Sequence, residues 1–172
     1  MRYGVWCGGI AVLLLGAAAC GLPHDASGTL DHVRDGTMRV GVVQDAPWAF
    51  DSAGAMGGVE AALVNEIARD EHARVTWVRG AEGALMQQLK ERQIDLVIGG
   101  LTADLPWAKT LAFTRPYYTD TVTVPAAGGP KATPRQHVLA APPGENAWLM
   151  RVERELIARK NDIPQMLRRT RS

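Results

Sequence analysis

From Met38 to Ile98, short runs of β-branched and apolar residues alternate with longer stretches whose apolar residues recur every three or four positions. The short runs are Met38–Val43, Arg74–Val78 and Ile94–Ile98; the longer ones are Glu60–Asp70 and Glu82–Arg92. A β-α-β-α-β order leaves few folds open. It predicts an α/β domain, a mostly parallel sheet flanked by helices, with right-handed crossovers fixing most of the topology. The buried stripe of the first helix is Leu63, Val64, Ile67 and Ala68, and that of the second is Leu85, Met86 and Leu89. Met86 reads as core filler. Glu60, in a first helical turn, suits the positive end of the helix dipole.

The 172 residues leave room for one domain or two small ones, and 47% hydrophobic with 22% charged residues is an ordinary globular balance. The formal charge is +1, so nothing points to nucleic acid as a partner.

The densest signal runs from Ile94 to Tyr118, IDLVIGGLTADLPWAKTLAFTRPYY. Leu96-Val97-Ile98 has the length of a buried strand. Gly99 and Gly100 stop it, and Thr102 and Asp104 follow as small polar groups. The carboxyl end of such a strand, with its backbone bared by glycine, is where open α/β sheets place ligands. The elements Ile94-Asp95, Gly100-Leu101-Thr102 and Phe113-Thr114-Arg115-Pro116-Tyr117-Tyr118 resemble the signature of the bacterial extracellular solute-binding proteins of family 3, the amino-acid-binding type of ABC uptake systems. Gly58, Leu63, Ile67 and Ala68 fit a second family pattern, with Glu60 standing for its first aspartate and Ala62 replacing its second.

The resemblance implies one lobe of the type II periplasmic-binding-protein fold. It covers Met38–Tyr118 closely and Gln136 to about Arg168 loosely. Residues 37–124 then form the first lobe, a Pro/Gly/Ala loop at 125–136 stands where a second lobe would be, and 137–172 supply a returning strand and a terminal helix. Asn146 is the expected N-cap of that helix, whose stripe is Trp148, Leu149, Val152, Leu156 and Ile157.

At the N-terminus, Arg2 precedes an apolar segment, Val5–Ala19, that fits a signal-peptide core, so residues 1–19 read as a signal peptide. Small residues run up to Cys20 and resemble the lipobox of bacterial lipoproteins, which makes Cys20 the expected lipidation site. An ordinary secretory signal with an incidental cysteine is the other reading. Residues 20–36 would form a tether and a short helix, with Leu22–Thr29 as the tether. Of the two cysteines, Cys7 would leave with the signal, so the remaining chain would hold no disulfide. The expected location is extracytoplasmic, at a membrane surface.

For the ligand site, the expected residues are Asp45, Trp48, Gly100, Thr102, Asp104 and Trp107. The resemblance implies that Thr102 and nearby amides hold a ligand carboxylate together with an arginine, but the arginine's position carries Trp107. A planar guanidinium grips a carboxylate in a way no aromatic ring reproduces. Lys109 and Arg115 are the nearby cations that could compensate. Trp48, Trp107, Asp45 and Asp104 together would suit a cationic or apolar group. Trp48 could equally cap the core, and Trp107 could cover sheet or meet another chain. Four scattered histidines show no metal-ligand spacing, and no nucleophile, zinc-protease or phosphate-loop motif appears. The expectation is therefore a non-enzyme without cofactor or metal: a solute-binding lipoprotein with an altered or weak ligand site, partnered by an ABC permease. The alternatives are an interaction scaffold docking on a membrane protein and an enzyme such as a dehydratase, whose acid–base candidates would be Asp45 with Asp104 or Glu82; whether two copies pair to rebuild a cleft is left open.

Overall fold

The computed structural model describes residues 23–52 and 54–170. The expected signal peptide and Cys20 lie outside the described residues. In chain order the elements are helix α1 (Thr29–Val33), strands β1 (Thr37–Val42), β2 (Phe50–Ser52) and β3 (Ala55–Gly57), helix α2 (Val59–Asp70) and strand β4 (Arg74–Arg79). Helix α3 (Glu82–Lys90), β5 (Leu96–Ile98), a 3-10 turn at Pro106–Lys109, β6 (Ala112–Phe113) and β7 (Tyr118–Val124) follow. The chain closes with β8 (Lys131–His137), β9 (Ala140–Ala141), α4 (Asn146–Arg159) and α5 (Ile163–Thr170).

The central sheet has the order β4-β1-β5-β9-β6. β1 pairs in parallel with both β4 and β5, as the alternating pattern requires. β9 enters antiparallel to β5 and to β6, so the sheet is mixed, with four strands running one way and β9 against them. Side chains alternate across the strands, so Val40, Val42, Leu96 and Ile98 face one layer while Val97 and Ala140 face the other. The first layer holds α2, α4 and α5 through Leu63, Ile67, Trp148, Val152, Leu156 and Ile163. The second holds α3 through Leu85, Met86 and Leu89. Among the described residues, the buried members of both core clusters and every strand lie between Val33 and Leu167, with Leu30 of α1 packed against the first cluster.

Three expectations change. Residues 131–136, read as loop, belong to β8, which pairs antiparallel with β7 from Tyr118–His137 to Val124–Lys131. The connection expected to stand in place of a second lobe is a hairpin whose turn is residues 125–130. Pro134 and the alanines disguised it, since they depress strand propensity. β3 pairs antiparallel with β2.

The tether also ends earlier than expected. Asp25 Oδ2 accepts the Leu30 amide of α1 at 2.7 Å, and its Oδ1 accepts the Trp148 amide of α4 at 2.9 Å. Glu145, fully buried, answers with its own carboxylate, accepting the amides of Ser27 at 2.9 Å and Thr29 at 3.0 Å. Two carboxylates thus cap two helix starts, where unpaired amides need acceptors. Glu145, not Asn146, is the N-cap residue of α4. A little further in, buried Asp95 accepts the Arg39 amide at 2.7 Å and its guanidinium at 2.5 Å, while its carbonyl takes the Trp148 indole N–H at 2.7 Å.

Replacing Asp25 by alanine should therefore lower stability by about 1–2 kcal/mol, the usual cost of a lost cap. Urea unfolding of the two proteins checks it. An unchanged midpoint would mean that residues 25–29 are not held against the body.

Candidate functional site

The polar cluster sits at the carboxyl ends of β1 and β5, joined by the start of β7 and the end of β8. After β5 the chain turns at Gly99 (φ 130°) and Gly100 (φ 67°). A Cβ on Gly99 would lie 2.1 Å from the Val43 carbonyl, and one on Gly100 would lie 2.2 Å from Asp45 Oδ2 and 2.6 Å from Trp48 Cδ1. Only glycine fits, because both the backbone angle and the neighbours exclude a side chain.

The freed amides point at a carboxylate. Glu60, fully buried at the start of α2, accepts the Gly99 amide at 2.6 Å and the Gly100 amide at 3.2 Å, and its other oxygen accepts a hydrogen bond from the Tyr117 hydroxyl. Burial pushes its pKa up to about 7, although the Tyr117 and glycine donors each pull it down. Burial, with the Glu60 charge beside it, also raises Tyr117 well above the ordinary phenol value.

Next to this lies an aromatic stack. Trp48 is 2% exposed, its ring 3.9 Å from that of His137, with Tyr118 at 5.7 Å and Tyr117 edge-on at 6.3 Å. Trp48 is packed into the core cluster that also holds α2 and α4. His137 is fully buried. Its Nε2 lies 3.1 Å from Asp120 Oδ1, and its Nδ1 has no hydrogen-bond partner among the described residues. Burial lowers the pKa of this ring. Arg135 grips the same Asp120 with two bonds, 3.1 and 2.7 Å, which holds that carboxyl below its ordinary value. Asp45 is half-buried, and partial burial raises it against the pull of Arg135 and His137.

The expected site residues therefore divide. Asp45, Trp48 and Gly100 meet, and Thr102 is bridged to His137 beside them. Asp104 is exposed and lines a shallow cavity of about 230 Å³ with Ala103, Pro134 and Gln136. Trp107 lies elsewhere. It packs on the α3 layer, and its indole N–H donates to Glu82 Oε1 at 3.0 Å. Trp48 belongs to the opposite layer, so the two indoles do not form one box. Neither expected cation replaces the missing arginine. Arg115 pairs with Glu153 of α4 at 2.9 Å, and Lys109 is exposed on the 3-10 turn.

The reading of the sequence missed Glu60, Asp120, Arg135 and His137 as members of this cluster. A signal existed for Glu60, which occupies the position of an aspartate in the family pattern. For Arg135 and His137 there was none, because their strand was hidden. Among the described residues, no group of three or more His, Cys, Asp or Glu is placed to hold a metal ion.

Residues 38–169 match the bacterial extracellular solute-binding proteins, family 3. The chain belongs to this family. It is 28% identical over 83 residues to a probable histidine-binding protein of Campylobacter jejuni, covering 48% of this chain but 32% of the relative, so it spans about a third of that protein's length. The arginine-bound form of domain 1 from TmArgBP aligns with a TM-score of 0.60 at 26% identity, over 73% of this chain and 95% of that one. An ancestral cationic amino acid solute-binding protein shares the fold at a TM-score of 0.67 and 17% identity, over 83% of this chain and 99% of the other. The fold is that of one type II periplasmic-binding-protein lobe.

Glu60 makes a pH prediction. Its folded pKa lies above the unfolded value of 4.5, so the stability it contributes is present below pH 4.5 and is lost as pH rises through about 7. The span corresponds to about 3 kcal/mol. Glu60→Gln should flatten this decline between those limits. His137, shifted the other way, loses its contribution as pH falls below about 6.5, but it is common to both proteins. Denaturant unfolding at several pH values checks it, and parallel profiles would refute the assignment.

Proposed function

We propose that the protein is an extracytoplasmic lobe that binds a small cationic solute of the amino-acid class for an ABC-type importer, held at the membrane by lipid on Cys20. The observation that carries the solute class is the charge around Gly100. Asp45 is half-buried against that glycine and Asp104 stands exposed at the rim, while the guanidinium that would offset them is absent: Trp107 faces away and Arg135 is committed to Asp120. Such a rim favours a cation over a bare carboxylate.

The names of the relatives, one histidine-binding and one an arginine-bound single domain, support the same class. That second structure also supports a lone lobe as a binding unit. Affinity should still be modest, because one wall encloses less of a ligand than two. No nucleophile or acid–base pair with a free approach stands out in the cluster, which favours binding over catalysis. The buried Trp48 favours a second reading, a scaffold whose site is closed by its own core and which docks on a membrane protein.

Thermal unfolding with arginine, lysine, histidine and glutamate separates the readings. Ligand at a hundred times its dissociation constant should add about 2.7 kcal/mol, a shift of several degrees. The cationic amino acids should give it and glutamate should not. Asp45→Asn should abolish the shift, whereas Trp107→Ala should lower the midpoint and leave the shift intact. A cooperative transition that no solute moves would favour the scaffold. The mass of the protein extracted from cells decides separately whether Cys20 carries lipid.

A further inference from the structure

The three large hydrophobic side chains that stand exposed among the described residues are Val124 (37%), Met150 (50%) and Ile157 (58%). Two of them share one stripe of α4, seven residues apart, with Arg154 between them on the same side. Arg154 and the nearby Lys160 are exposed and have no acidic partner among the described residues. The two acids along this face, Glu153 and Glu71, are already paired, the first with Arg115 and the second with Arg34 and Arg151.

The face also adjoins the N-terminal exit. A cavity of about 490 Å³ runs from Pro23 and Leu30 to Met150 and Arg154, and a second of about 200 Å³ continues past Arg154 to Ile157. Asp25 is pinned to both α1 and α4. Five residue steps separate it from Cys20, and an extended chain spans at most about 18 Å over that distance.

We propose that the outer face of α4, from Pro23 to Lys160, rests on an anionic membrane surface. The inference rests on lipidation at Cys20, because the short reach then presses this side of the body, and not the α3 side, against the headgroups. Exposed methionine and isoleucine sit at the apolar boundary, and the unpaired cations meet anionic lipid. Asp45, Thr102, Asp104 and Arg135 line neither of these cavities.

The chain from Gly21 onward has no cysteine, which makes a labelling test clean. It is tethered through an N-terminal hexahistidine to vesicles containing nickel-chelating lipid, which replaces the acyl chains and makes the result independent of whether Cys20 is modified in cells. An environment-sensitive fluorophore is placed at Met150→Cys or, as control, at Ala84→Cys on the exposed side of α3. On vesicles with phosphatidylglycerol, the label on α4 should gain roughly three-fold protection from an aqueous quencher and the control none, a difference that high salt removes. Arg154→Glu with Lys160→Glu should abolish it while leaving the unfolding midpoint in place. Equal quenching at both labels on every vesicle would overturn the proposal. So would protection on neutral phosphatidylcholine alone, or protection that appears only when solubilised membrane protein is added.

Discussion

The buried carboxylate of Glu60 holds together the end of the molecule where the candidate site lies. Two amides of a glycine turn and one phenol converge on it, from β5 and from the start of the β7 hairpin, while the carboxylate itself belongs to the first turn of α2. Without that acceptor, two backbone donors and a hydroxyl would be stranded in the core, at a cost of about 1–3 kcal/mol each. The glycines are required on separate grounds, their positive φ and the crowding of any Cβ by Val43, Asp45 and Trp48, and their amides are thereby left free to meet the carboxylate. The cost of this contact is the burial of a group that resists ionisation, and that cost appears as a raised pKa.

The opposite end of the sheet is built on the same chemistry with different parts. There Asp25, Glu145 and Asp95 satisfy the starts of α1 and α4, the Arg39 guanidinium and, through a carbonyl, the Trp148 indole. Carboxylates at helix starts meet the positive end of the dipole as well as free amides, so each does two jobs. The consequence is a division of labour along the strands. The amino end fixes the N-terminal segment and the returning helix, and the carboxyl end presents Asp45, Gly100, Thr102 and Asp104.

The hairpin β7–β8 is what makes a single lobe workable. It returns the chain to the central sheet at β9 within a few residues, and it carries Asp120, Arg135 and His137 to the same place as Trp48. The guanidinium of Arg135 is bound to Asp120, which leaves Asp45 and Asp104 as the acidic groups on which the proposal of a cationic solute rests.

Much of the fold was legible because periodicity is a local property. The parallel strands, the stripes of α2 and α3, the glycine stop after Ile98 and the family pattern from Ile94 to Tyr118 all follow from residues a few positions apart. The sequence by itself determined the α/β class and the family, and it named the strand end proposed for a ligand. Tertiary structure alone decided the rest, because it depended on groups far apart in the chain: whether Trp48 and Trp107 face one another, which carboxylate receives the Gly99 amide, and whether residues 25–29 hang free or cap α4. Glu60 and Gly99 are 39 residues apart, and Asp25 and Trp148 are 123 apart. No spacing rule reaches that far. The layer to which each indole belongs is set by the pleat of a sheet that exists only once those distant strands have paired.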